Sequence, residues 1–383
     1  MNTYTLIAVV IIVYLILDFI YKIRRLTKDD APGPMPLPLI GNLHQVGPSP
    51  HIGMAKLTEK FGHVMRIWLG DNYHIIVSDP AIVREMVVRN QDNFTNRIQS
   101  PSLEIMSKGY LNMVVGRDEH WSHIRKLVSN SFTKTKLRSF SSAIEEQGDH
   151  LITKLRQFEK DNQSPRDIMD SLIIDAKGEL KDSVIMVGVD FIIAGTETSA
   201  STIEMFMMYM INHPDIQAKV ASELASAVGP GNRVTFSHRP HVPYTVAVIN
   251  EVMRIRPVVA LAPRECKEAC MLGGKYYVPA GTQLFVNQKA MNFHPDHWDQ
   301  PEKFNPERFL LNDKYKDVFL PFSAGPRNCV GMNLAIEEVF VGCANILHNF
   351  ILSSSNNQPI HEEEVFGLTI MPIPFQVCVN SRY

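Results

Sequence analysis

Ten residues near the end of the chain, FSAGPRNCVG from Phe322 to Gly331, restrict what can surround them. A single cysteine, Cys329, stands in a loop of Gly, Pro and Arg, and the helix-patterned run MNLAIEEVFVGCANIL follows directly. Gly325 and Gly331 allow close backbone approach and turns that bulkier residues resist. A helix start carries partial positive charge, which favours a thiolate at Cys329, and a buried thiolate is costly unless donors hold it. Arg327 adds a planar guanidinium suited to a carboxylate. A lone Cys before a helix is usually structural. The joint pattern F-x-x-G-x-R-x-C-x-G fixes five residue types together and reads as a metal-ligating thiolate in a loop shaped around a flat cofactor.

The rest of the chain sets the context. With 383 residues, 45% of them hydrophobic, it can bury a large core. A net charge of -2 gives no electrostatic footprint for nucleic acid. The five cysteines are odd in number and show no CxxC spacing, which argues against a disulfide framework or a zinc site. The N-terminal run YTLIAVVIIVYLILDFI (Tyr4 to Ile20) is almost wholly apolar and is followed by Lys22, Arg24 and Arg25. It is at the short end for a span of roughly 20 residues, and Asp18 is costly there unless it lies at headgroup level. No small-residue cleavage pattern follows, so the run reads as a retained signal anchor rather than a cleaved signal peptide. The basic flank keeps the body on the cytosolic side. APGPMPLPLIGN, with Pro32, Pro34, Pro36 and Pro38, is then a stiff extended spacer.

Beyond the spacer the patterns are mainly α with a minor β portion. Val64 to Leu69 and Tyr73 to Ser78 read as strands joined by a Gly-Asp-Asn turn. Helical patterns cover Pro80 to Val88, about Glu119 to Lys136, Gly178 to His213, Pro214 to Val228 and Val242 to Arg256. A late hairpin is expected around YYVP and TQLFVN, with Gly273-Gly274 and Ala280-Gly281 as turn signals.

Four further groups of residues bear on chemistry. Glu251 and Arg254, three apart, share a helix face and can pair, and FNPERF supplies Arg308. AGTETS (Ala194 to Ser199) puts hydroxyls and a glycine inside the long apolar helix, where they compete with the backbone ladder and can bend it. It reads either as a small-residue packing groove or as a functional break. Trp121 and Arg125, four apart, set an indole and a guanidinium on one helix face. Arg264 lies in LAPREC, just beyond the Glu251 helix.

Taken in order, these motifs resemble those of the cytochrome P-450 superfamily, the microsomal type of heme-thiolate monooxygenase, from the anchor to the C-terminus. Phe322, Gly325, Arg327, Cys329 and Gly331 all match its heme-binding signature. The resemblance implies a cytochrome P-450-like fold, heme b (iron protoporphyrin IX), and Cys329 as the axial iron ligand, which pushes electron density toward O–O cleavage. It implies that Glu251, Arg254 and Arg308 form a supporting cluster behind the heme loop. Gly195 would leave room for O2, with Glu197 and Thr198 relaying protons. Trp121, Arg125, Arg264 and Arg327 would seat the propionates. Electrons would come from NADPH only indirectly, through a separate flavoprotein reductase, since the chain has no G-x-G-x-x-G segment. Lys126 reads equally as a docking residue for that reductase and as part of a solvated helix face. The substrate would be a lipophilic small molecule.

The expected layout is a single-pass anchor over 1–21 in the endoplasmic reticulum membrane, a basic and proline-rich hinge over 22–45, and a catalytic domain over 46–383 facing the cytosol. The chain departs from the family in one place. Arg125 and Ala194 are only 69 positions apart, a shortfall on the order of a hundred residues for this fold. It falls near LRQFEKDNQSPRD, 155–167, so the fold is expected to be incomplete, lacking the helices that roof the substrate. Apolar faces beneath that roof would be exposed, and the distal side of the heme would be open to water. Two other readings remain: an inactive or truncated heme-binding remnant, and a heme-thiolate rearrangement enzyme, which has less need of Glu197 and Thr198.

Overall fold

Gly70 and Asp71 close the first hairpin, and Gly70 takes a φ of 63° that suits glycine. They join β1 (Val64–Leu69) to β2 (Asn72–Val77) with Leu69 opposite Asn72. The structure, a computed structural model, describes residues 2–24, 28–132, 181–310, 315–356, 358–367 and 369–383. These divide into two units, described separately below.

The first unit takes Met1–Ile98, Ala260–Trp298 and Ala324–Pro326. Its four-stranded sheet has the order β1-β2-β6-β3, with β3 (Leu261–Glu265) antiparallel and β2 parallel to β6 (Gln283–Asn287). Helix α2 (Pro50–Phe61; α1 is the N-terminal helix below) starts on a proline, whose fixed φ suits a first turn, and stops at Gly62 with φ 99°. It packs Met54 against Met65, Ile67 and Ile76 of the sheet. The expected late hairpin is corrected here. YYVP and TQLFVN do not pair with each other; β5 (Tyr276–Val278) pairs instead with β4 (Cys270–Leu272) across Gly273-Gly274. The Ala280-Gly281 turn sends β6 into the larger sheet, because burying Leu284 and Val286 together needs a sheet face that the short β4–β5 ribbon lacks.

Helix α1 (Thr3–Arg24) contains a stretch, Thr3–Ile23, long and apolar enough to cross a membrane. Its Asp18 carboxylate accepts from Lys22 Nζ and from Leu39 N, both at 2.9 Å, and Lys22 also pairs with Asp71 at 3.0 Å. Lys22, part of the basic flank, is therefore buried. The proline spacer lies along β1: Arg66 N donates to Pro32 O and its guanidinium to Ala31 O.

The second unit takes Gln99–Val259, Asp299–Ser323 and Arg327–Tyr383. Its longer helices among the described residues are α3 (Asp118–Ser131), α4 (Lys181–Asn212), α5 (Pro214–Val228), α6 (Pro243–Ile255) and α7 (Met332–Asn349). Prolines open α5 and α6, and Glu223 of α5 accepts from Tyr244 N and Thr245 N at the start of α6. Helix α7 is apolar on nearly every side over Val339 to Leu347, and those residues are buried. Two small ribbons complete the unit: β7 (Phe350–Ser354) with β10 (Val377–Ser381), and β8 (Glu364–Phe366) with β9 (Ile370–Pro372). The break expected over 155–167 and the ends of two helical patterns, 133–136 and 178–180, lie outside the described residues.

Candidate active site

The Cys329 loop closes on itself. Cys329 N donates to Phe322 O at 2.9 Å, Ser323 turns with φ 60°, and Gly331 caps α7. Among the cysteines the contrast is plain: Cys343 of α7 is fully buried, a structural thiol, whereas Cys329 is accessible. Protein packed around its Sγ raises the thiol's pKa, and the Gly331 N–H and the Arg125 guanidinium oppose that shift. Both opposing groups stabilise the thiolate. Gly325 adopts φ 71°, and a Cβ there would lie 1.7 Å from Val87 O, so only glycine fits. Val87 belongs to a widened π-helical turn, Glu85–Arg89, that follows the short helix Pro80–Arg84.

Around this loop the second unit brings together Trp121, Arg125 and Arg327. Arg125 donates to Asn328 O at 2.9 Å and to its side-chain oxygen. The Arg327 guanidinium stacks over the Trp121 ring, 3.9 Å from its centroid, and donates to the carbonyls of Met113, Val114 and Gly116. Arg327 is thus tied to the 113–116 segment. Trp121 is buried with Met113, Ile124, Val128 and Val187. The opposite side of the same segment is held by Asp190 of α4, which accepts from Met113 N, Val114 N and Asn112 Nδ2 at 2.8 to 2.9 Å. Burial pushes the Asp190 carboxyl up in pKa while these bonds pull it down. Asp190 has no motif to mark it, though the one charge in the apolar run from Ile185 to Ala194, four residues before AGTETS, is a signal that could have found it.

Helix α4 runs unbroken through AGTETS. Thr198 turns its hydroxyl back to Ala194 O at 2.6 Å, which keeps the ladder closed. Glu197 Oε1 accepts instead from Thr369 Oγ1 at 2.8 Å, and Ser199 donates to Glu338 of α7 at 3.1 Å. A Cβ added to Gly195 would meet nothing within 4 Å. Glu251, Arg254 and Arg308 meet fully buried. Arg254 grips both Glu251 oxygens at 2.7 and 2.8 Å, Arg308 Nε reaches Oε1 at 3.1 Å, and Asn305 N adds a bond at 2.9 Å. The arginines also donate to the carbonyls of Asp299 and Lys303, which fixes that segment.

Arg264 lies in the first unit, buried on β3. Burial, and then the neighbouring Arg97, hold its pKa well below the usual guanidinium range, and burial brings Arg97 down to about 10. The buried Arg264 beside the half-buried Arg97 suits an anionic ligand. Within the second unit, the accessible thiol of Cys329 and the adjoining Arg125 suit a heme iron and a heme carboxylate. Arg97 was missed as a cation because a single Arg in a loop carries no spacing signal.

The family model for cytochrome P450 matches residues 31–176 and 156–379. The chain belongs to the cytochrome P450 family. It is similar to the protein called probable cytochrome P450 519B1 of Dictyostelium discoideum, 29% identical with all of both chains covered, and to probable cytochrome P450 508A1 of the same organism, 28% identical with 97% of each covered. The alignment with the first spans 513 positions against the 383 residues here. Among solved structures it resembles a zebrafish cytochrome P450 determined with progesterone: TM-score 0.76, 26% identity, 87% of this chain and 99% of that one. A second structure with abiraterone gives a TM-score of 0.75 at 28% identity, with 87% and 100% covered. The fold is that of the family, and the family chemistry is heme-thiolate monooxygenation.

Proposed function

We propose that this chain is a membrane-anchored monooxygenase that inserts one oxygen of O2 into a lipophilic small molecule, with electrons from an NADPH-dependent flavoprotein reductase. The observation that carries the reading is the accessible Cys329 thiol, set just before α7 in a loop that Arg125 grips at Asn328. Heme b, when bound through a thiolate, supplies O2 binding and O–O cleavage. The remaining roles belong to the chain's own residues. Trp121, Arg125 and Arg327 in the second unit, and Arg264 with Arg97 in the first, are the groups offered for the carboxylates. The half-buried Glu197 takes protons from solvent, and Thr198 passes them inward by swinging its hydroxyl off Ala194 O. Gly195 leaves the helix face uncovered.

Helix α1 supports a single-pass anchor in the endoplasmic reticulum membrane, with the body on the cytosolic side, where a reductase is reached. The two family matches meet over 156–176, which supports an internal deletion near 155–167. The test is turnover of a steroid-sized apolar probe by the full chain in vesicles with reductase and NADPH. Hydroxylated product that needs both the reductase and Cys329 is expected. Product without the reductase would favour rearrangement chemistry, and heme uptake without product would favour the inactive remnant.

A further inference from the structure

The motif acid and the motif alcohol do not bond to each other. Thr198 gives its hydroxyl to Ala194 O, while Glu197 is engaged by a residue 172 positions away, Thr369. Thr369 is only 4% exposed. The backbone fixes it from both sides: Gly367 N donates to Thr369 O, and Ile370 N donates to Val258 O at 2.8 Å. The β8–β9 register, with Phe366 opposite Ile370, adds a third constraint. A β-branched side chain on such a backbone has little rotamer freedom, so its O–H is a fixed donor rather than a wandering one.

We propose that Thr369 is a positioning residue for Glu197. It pins one carboxylate oxygen and leaves the other to exchange protons. This inference rests on the relay reading of Glu197. A carboxylate held at one oxygen presents the second at a constant place, and proton transfer depends on that distance. Its part is played through Glu197.

Thr369→Val keeps the shape and removes the donor, Thr369→Ser keeps the donor, and Thr369→Ala serves if the valine variant misfolds. In the full chain with reductase, Thr369→Val is expected to lower product formation at saturating substrate about tenfold, the equivalent of one hydrogen bond to a charged group. KM should be unchanged, and the share of electrons ending as hydrogen peroxide should rise. Thr369→Ser should restore both. Glu197→Gln should lower turnover too, and Glu197→Gln with Thr369→Val no further than Glu197→Gln alone. A readout independent of turnover is the isotope-edited infrared carboxylate band of Glu197, which should shift in Thr369→Val and not in Thr369→Ser. An unmoved band, or Thr369→Val turning over normally while Glu197→Gln does not, overturns the positioning role and leaves the relay standing. Normal turnover in Glu197→Gln overturns the relay, and the positioning role with it.

Discussion

At the residue scale, two positions show how local geometry sets strict requirements. Gly325→Ala would drive a methyl group into Val87 O at a φ of 71°. Strain and overpacking together should cost about 2–5 kcal/mol, read as a lower urea midpoint and loss of heme retention. The glycine was legible in the signature, but the carbonyl that forbids a side chain was not, since Val87 lies far away in sequence. The second position is His294, buried and stacked on His63 at 3.5 Å between centroids. Burial first, then the His63 and His297 rings, bring its pKa down to about 4, against the pull of Asp296 and Asp79. The native state therefore prefers the neutral ring. Its contribution is fully present above the unfolded pKa of 6.5 and is lost as pH falls through about 4. Unfolding free energy measured from pH 7 to 4 should decline by up to about 1.4 kcal/mol per pH unit for each extra proton the unfolded state binds. His294→Phe should flatten that slope.

At the element scale, α6 and the segment 299–309 are joined by one buried carboxylate. Glu251→Gln leaves Arg254 and Arg308 partly uncompensated, which should cost about 3–5 kcal/mol in chemical denaturation with an unchanged m value. The partners were readable: Glu251 and Arg254 by helical spacing, and Arg308 by the resemblance of FNPERF. Other links between elements were not. The bond from Thr369 to Glu197 and the grip of Asp190 on 112–114 join distant parts of the chain, and no local period encodes them. Strand β6 failed for a related reason. Turn residues mark where a chain reverses, but the choice of partner is made by which face can be buried, and that is a property of the sheet.

At the scale of the whole molecule, the second unit assembles the Cys329 loop with Trp121, Arg125 and Arg327, and the Glu251 cluster with Arg254 and Arg308, in a chain shorter than its alignment with a curated relative. Helix α4 exposes Ile185, Val189, Ile192 and Ile193 among the described residues. Such a row of apolar side chains invites association. Ile185→Ser with Ile192→Ser should reduce light scattering on heating while leaving the unfolding free energy within about 0.5 kcal/mol per site. Cys329 is expected to hold heme in this shortened chain, and the reduced, carbon-monoxide-bound absorption spectrum of the full chain is the measurement to make first. A far-red-shifted Soret band, lost in Cys329→Ser, is expected; no heme uptake, or a band at the position of a heme without thiolate, would rule that ligation out.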